Sequence, residues 1–302
     1  MKPLTILSGI ASRVRRHADE AGLRLFHLDH LKTQPRYRNE AVIRQLCANA
    51  YLGEGRSLCR VLGRYKMIVD TNDVGLSSHL LLDGYWEMWL TELLSEIVRP
   101  GMTVVDVGAN LGYFTLLMAD LVGPTGYVHA FEPNIDLARR MAQSLALNGF
   151  ESIAMVHEQA LSDAESDVLL VVPTDEPKNG HLLPGDHPVS GDETVESRPM
   201  QTRRLDSYAA LLNADIIKID ADTSELAIWH GMSGILDTRR PLTIVLEFAR
   251  ARYVDPGAFI DRIVADGFTL AEITLEAGIQ PTTREAILTA PTTEDVMLLL
   301  VR

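Results

Sequence analysis

Cysteine is nearly absent from this 302-residue chain, where Cys47 and Cys59 are the only two. Two thiols without zinc-ligand spacing exclude a disulfide framework and a cysteine-built zinc site, and they point to a reducing, cytoplasmic compartment. Positive charge is also short: 28 Lys and Arg face 41 Asp and Glu, a formal net charge of -13. Binding a polyanion rests on clustered Lys and Arg that release counterions, so a small or neutral substrate is expected and nucleic acid is not. No apolar run is long enough to span a bilayer, so no transmembrane segment is expected. Nor is a signal peptide expected, because Met1-Lys2 precede a short, interrupted apolar stretch and then Arg13, Arg15 and Arg16. Internal repeats and low-complexity tracts are missing too. What the chain does have is 46% hydrophobic residues and a mean hydropathy near zero. That suffices for a full core in one large domain or two modest ones.

The first fifty or so residues carry apolar positions at helical spacing, such as Ile6, Ile10 and Val14, and are rich in Arg. They read as helices outside the main fold, packing on their own domain or forming a homo-oligomer contact. Leu58 to Asp70 reads as a hairpin turning at Gly63-Arg64. Gly84-Tyr-Trp-Glu-Met-Trp89 opens a helix that Arg99-Pro100-Gly101 stops. From Thr103 onward strands alternate with helices. Strands are expected at Thr103 to Val107, Gly126 to Phe131, Ile153 to His157, Ile216 to Asp220, Leu242 to Phe248, Thr269 to Leu275 and Val296 to Val301. Helices fill Gly112 to Leu121, Ile135 to Asn148, Thr223 to Met232 and Pro256 to Asp266. Apolar strands separated by helices predict an α/β fold with a mostly parallel sheet covered on both faces. Pro173 to Arg203 breaks this rhythm, and its Pro, Gly, Asp and Glu content predicts a lid or substrate loop.

The junction DVGANLG, Asp106 to Gly112, joins a buried strand directly to a helix. Parallel sheets bind ligands at the carboxyl ends of their strands, beside the first strand, where this junction falls. The next strand ends in Phe131-Glu132-Pro133-Asn134, with Glu132 a little over 20 residues beyond Gly108, close to the spacing at which an acid meets a ribose diol. A dinucleotide fingerprint would place its second and third glycines at Asn110 and Tyr113. The side chains there make a pyrophosphate hard to seat against the helix start. D-x-G-x-N-x-G suits a nucleoside ligand without phosphate, of which S-adenosylmethionine is one: the loop meets its aminoacyl end and Glu132 its ribose.

DVGANLGYFT, GYVHAFEPN, ALALNG, IIKIDADTSELAIWHGM and VLEF occur in order from about Tyr85 onward, and together they resemble the FkbM family of S-adenosylmethionine-dependent methyltransferases. The resemblance implies a Rossmann-like class I methyltransferase fold with a seven-stranded sheet whose last strand, EDVMLLLVR, is antiparallel. It implies a domain over residues 85–302 preceded by a helical and hairpin extension over 1–84. It also implies O-methyl transfer to a hydroxyl of a sugar or other small molecule. Asp106, Gly108, Asn110 and Gly112 then fall at the methionine end of the cofactor, Glu132 at its ribose and Gln159-Ala160 at its adenine. One departure stands out. Where the family reads K-I-D-V-E-G-x-E, this chain has Lys218-Ile-Asp220-Ala-Asp222-Thr-Ser-Glu225.

Methyl transfer is an in-line displacement that needs alignment and desolvation, and an alcohol acceptor must also lose a proton. Asp220, Asp222 and Glu247 close neighbouring strands. Two readings follow: Asp220, Asp222 or a histidine such as His181 or His230 acts as the general base, or Asp220, Asp222 and Glu247 hold a hard cation such as Mg²⁺ that acidifies the acceptor. A structural reading pairs Lys218 with one acid and lets another cap the helix after Thr223. Glu87 is a further candidate for the aminoacyl end, and Tyr85, Trp86 and Trp89 read as a cover for the site or as core. Methylation at nitrogen or of a protein, a non-catalytic cofactor-binding scaffold, and a nicotinamide-dependent oxidoreductase remain as alternatives.

Overall fold

The computed structural model describes residues 25–174, 176–187, 194–276, 278–291 and 295–302. Ile6, Ile10 and Val14 lie outside them. The first sheet is antiparallel, in the order β1 (Asn49–Gly53), β2 (Arg56–Val61) and β3 (Tyr65–Asp70). Strands β2 and β3 form the expected hairpin around Gly63-Arg64, and β1 extends it. The chain continues through β4 (Thr103–Val107), β5 (Tyr127–Phe131), β6 (Ala154–His157), β7 (Ala160–Leu161), β8 (Asp167–Pro173), β9 (His181–Pro184) and β10 (Val195–Arg203). It ends with β11 (Ile216–Ile219), β12 (Thr243–Phe248), β13 (Thr269–Thr274), β14 (Gly278–Pro281) and β15 (Val296–Val301).

Eight of these strands make the central sheet, in the order β14-β13-β15-β12-β11-β4-β5-β6. From β12 to β6 every pairing is parallel. Strand β15, last in the chain, runs antiparallel between β12 and β13, as the resemblance implied. All seven strands read from the apolar runs are present, and β14 adds an eighth as a short edge hairpin on β13. The order and directions of the strands give a Rossmann-like α/β fold, as the resemblance implied.

Alternation along the strands divides the core in two. Val104, Val128 and Ile216 face a cluster filled by Leu116, Leu117 and Met141 from the helices Tyr113–Val122 and Ile135–Leu147. Val105, Ile217 and Ile244 face the other cluster, filled by Ile228, Trp229 and Phe259 from Glu225–Gly231 and Pro256–Ala265. Both faces of the sheet are thereby covered, which is what strands apolar throughout require.

The extension shares the first of these clusters, since Phe26, Leu31, Ile43 and Met67 pack with Leu116 and Val128. Strand β3 docks on the helix Ile135–Leu147: Ile68 N donates to Ser144 Oγ at 2.9 Å, and Arg140 meets Asp70 at 2.7 Å. A boundary at residue 84 therefore separates no core.

The expectation of a loop from Pro173 to Arg203 is corrected. Most of the described part is strand, in a second sheet ordered β7-β10-β8-β9. Its signal is weak because one side of β10 is open. Strand β7 pairs with it only at Thr202 and Arg203, so Pro199 sits on the free edge at no hydrogen-bonding cost.

Candidate functional site

One cavity of about 300 Å³ crosses the carboxyl ends of β4, β5, β11 and β12, roofed by the second sheet. Its lining includes Asn110, Glu132, Gln159, His181, Asp220 and Glu247. Residues far apart in sequence meet there because parallel strands deliver all their carboxyl ends to one edge.

The loop after β4 alternates left-handed residues, Gly108 (φ 73°), Asn110 (φ 54°) and Gly112 (φ 87°), so it reverses within five residues into the helix Tyr113–Val122. Its N–H groups close the loop on its surroundings. Gly108 N and Ala109 N donate to the Phe131 carbonyl, Asn110 N to Glu132 Oε2 at 2.8 Å, and Leu111 N to Asn110 Oδ1. These amides are thus paired within the protein, while Gly108, Ala109 and Asn110 line the cavity.

Glu132 binds both flanks of the site. Its Oε1 accepts from Asn134 N and its Oε2 from Asn110 N, each at 2.8 Å. A carboxylate has about four acceptor positions, so two remain for a diol. Burial pushes the Glu132 carboxyl up to about 7, against the pull of the two amide bonds. Gln159 and Ala160 line the neighbouring wall, and Gln159 Nε2 donates to the Ala160 and Gln201 carbonyls, tying that wall to β10. Glu87, left-handed at φ 37°, lines the opposite side beside Trp86. Tyr85 instead meets Arg44, and Trp89 packs against the core.

Two predicted contacts fall outside the lining. Asp106, fully buried, accepts from Thr115 Oγ1 at 2.6 Å and faces its cross-strand partner Lys218 at 3.7 Å. It ties β4, β11 and the following helix together. Gly112 faces away, toward Met141. Both hold the loop that lines the cavity.

At the other end stand the acids. Asp220 Oδ2 lies 3.1 Å from Lys218 Nζ. Burial would lower the Lys218 pKa, but Asp220 and Asp106 outweigh it and hold the ammonium charged. Arg252, which sequence reading missed, gathers the rest: it is 2.7 Å from Glu247, 3.4 Å from Asp222, 3.3 Å from Asp295 and 4.0 Å from Glu225. Burial, then the nearby Asp220, pushes the Glu247 carboxyl up to about 8. The Asp222 carboxyl is also raised, chiefly by burial, with His181 close enough to oppose the shift.

The metal reading of Asp220, Asp222 and Glu247 is corrected as well. Lys218 and Arg252 already occupy the places of counter-charge between these acids, and among the described residues no group of three His, Cys, Asp or Glu side chains is set to hold an ion. The residues present do not fit a hard cation. Glu225, for its part, is the buried partner of Tyr253 and Ala221 N, as a helix-start acid should be.

Asp222 and Thr223 are both left-handed, at φ 31° and 74°. Position 223 is a glycine in the related pattern. A β-branched residue there costs about 1–2 kcal/mol, while glycine returns part of that through its unfolded-state entropy, roughly 0.5–1 kcal/mol. Thr223→Gly is therefore expected to raise the melting temperature by about 2 °C in a thermal unfolding scan. A fall would mean that the threonine side chain supports the turn.

The Methyltransferase FkbM domain matches residues 106–270. Among curated proteins, the chain is 31% identical over 96 residues to a protein-L-isoaspartate O-methyltransferase of Methanothrix thermoacetophila, covering 29% of this chain and 46% of that protein. It is 25% identical over 182 residues to the AMB antimetabolite synthetase AmbE of Pseudomonas aeruginosa, covering 49% of this chain and 8% of that one. The chain spans less than half the length of the curated relatives it matches. A solved O-methyltransferase from Bacillus cereus in complex with SAH aligns over 76% of this chain and 83% of its own, with a TM-score of 0.40 and 15% identity. No helix of the described residues is long and apolar enough to cross a membrane. The match at 106–270 starts at the aspartate of β4, passes through the acids of β11 and β12 and ends in β13, over half of the chain, and the protein belongs to the FkbM methyltransferase family.

Proposed function

We propose that this protein is an S-adenosylmethionine-dependent O-methyltransferase acting on a hydroxyl of a small molecule. The observation that carries the reading is Glu132, a buried carboxylate that closes the β4 loop and shares one cavity with carboxylates at the ends of β11 and β12. Glu132 would hold the ribose diol, Gln159 and Ala160 the adenine side, and Asn110 and Glu87 the aminoacyl end. Gly108 lets the loop lie against β11, while Asp106 and Gly112 fix it from behind. The bound cofactor supplies an electrophilic methyl on a sulfonium sulfur. Asp220, Asp222 and His181 line the acceptor side, where a hydroxyl proton has to be taken up. Asp220 is fixed by Lys218, so it orients what binds there.

Calorimetric titration of the full chain with S-adenosylmethionine, S-adenosylhomocysteine and NADH tests the reading. Micromolar binding of the two adenosyl ligands without NADH supports it. Binding of NADH instead would favour an oxidoreductase, and a folded protein that binds none of the three would leave a scaffold.

A further inference from the structure

Two carboxylates of the cavity stand on neighbouring strands, and their partners differ. Asp220 lies 3.1 Å from Lys218, an ammonium with 1% exposure that is also 3.7 Å from the buried Asp106, feels the charge of Glu87 and sits over the Phe114 ring. That ammonium is fixed between β4 and β11, so Asp220 stays engaged with a buried cation. Glu247 is held less completely. Its Oε2 accepts from Arg252 Nη1, but that single guanidinium also serves Asp222, Asp295 and Glu225. With all four acids ionised the cluster keeps an excess of negative charge, and a proton on Glu247 relieves it. The groups that act on Glu247 come from each adjoining element: Asp220 after β11, Arg252 and Tyr253 after β12, and Asp295 before β15.

We propose that Glu247, rather than Asp220, exchanges the proton at the methyl-transfer end, and that arrival of the positively charged methyl donor strips it of the proton it holds in the free protein. The inference rests on the cofactor assignment above. A ligand seated with its ribose on Glu132 extends along the cavity toward β11 and β12, bringing a further positive charge to a cluster whose four acids share the single guanidinium of Arg252. Glu247 is thus converted to a carboxylate only when a methyl group is at hand. The acceptor's O–H proton then passes to Glu247 while its oxygen bonds to the methyl carbon, and the carbon–sulfur bond breaks with its electron pair left on sulfur. A cation and an anion are consumed together, so the dry site gains no net charge during transfer.

The two adenosyl ligands separate this from the cofactor assignment, since both carry the ribose and only S-adenosylmethionine carries the charge. Calorimetry of the full chain at pH 7.5 in two buffers of different ionisation enthalpy counts the protons exchanged with each. Both ligands meet Glu132 alike, so its contribution cancels in the difference. The expected result is a release with S-adenosylmethionine that S-adenosylhomocysteine lacks, approaching one proton per chain at slightly lower pH. Glu247→Gln removes that difference while both ligands still bind, whereas Asp220→Asn, which takes away one of the charges that raise Glu247, moves it to lower pH without removing it. Equal proton counts for the two ligands in the unaltered protein, or a difference that Asp220→Asn abolishes at every pH, would overturn the proposal and leave the cofactor assignment standing. Failure of both ligands to bind would overturn the two together.

Discussion

Gly108→Ala is expected to lower the melting temperature by roughly 10 °C and to abolish binding of S-adenosylmethionine. A Cβ at this position would sit 1.7 Å from the Asp220 carbonyl oxygen and 2.7 Å from its carbon, so the obstacle is backbone and has no rotamer to move to. The residue is also left-handed, at φ 73°, which adds about 1–2 kcal/mol for any residue with a Cβ. Relief requires β4 and β11 to part at the ends where they carry Asn110 and Asp220. A separation there disturbs the buried Asp106, Lys218 and Thr115 contacts at the same time. Overpacking of this kind costs about 1–3 kcal/mol beyond the backbone strain. Two other glycines calibrate the result. At Gly112 the added carbon meets the unbranched Met141 side chain rather than backbone, and at Gly123 it meets nothing within 4 Å. Thermal unfolding should therefore rank Gly108→Ala far below Gly112→Ala, and Gly112→Ala below Gly123→Ala. If the alanine at 108 is tolerated like that at 123, the loop does not approach β11 as closely as described.

The same crowding explains what could be read ahead of the structure. Val104, Val105 and Val107 are buried on opposite faces of one strand, and such residues leave an apolar run in the sequence whatever their partners. Each of the seven principal strands left one. In the second sheet only β8 carries such a run, Val168 to Val172, which sequence reading passed over, while β10 has one open side over most of its length and carries Arg198, Gln201 and Pro199 among few buried positions. Strand β14 is four largely exposed residues, too short for a periodic signal.

Within the site, spacing along the chain located Glu132, Asn110 and Asp220, because a strand end delivers its residue to the cavity whatever the side chain is. Side-chain direction was not legible. Asp106 and Gly112 belong to the same motif, but the first points back between β4 and β11 and the second toward the helix Ile135–Leu147. Arg252 lies in a 3-10 turn with no periodicity around it, so nothing in the sequence joins it to Asp222, Glu247 and Asp295. It nevertheless changes the reading of the site, since a guanidinium among those acids stands where a reading of the carboxylates alone suggests a metal cation.

Glu132→Ala is expected to weaken S-adenosylmethionine binding by 100-fold or more. Hydrogen bonds to a charged group contribute about 1.5–3 kcal/mol each, and the carboxylate has two acceptor positions left for the ribose diol. The variant also leaves Asn110 N and Asn134 N without their acceptor, so a loss of affinity by itself would not separate ribose contact from loop collapse. Comparing S-adenosylhomocysteine with its 2′-deoxy analogue does separate them. If Glu132 holds the diol, the unaltered protein discriminates between the two by about 10-fold or more, and Glu132→Ala binds both with equal, weak affinity. Glu132→Gln, which keeps one carbonyl acceptor, should fall between them in both affinity and discrimination. Should the alanine variant keep the full preference for the 2′-hydroxyl, the ribose is held elsewhere and Glu132 acts only through the loop it closes. In that case the cavity's nucleoside end would have to be reassigned along β5 and β6, away from the acid that first suggested it.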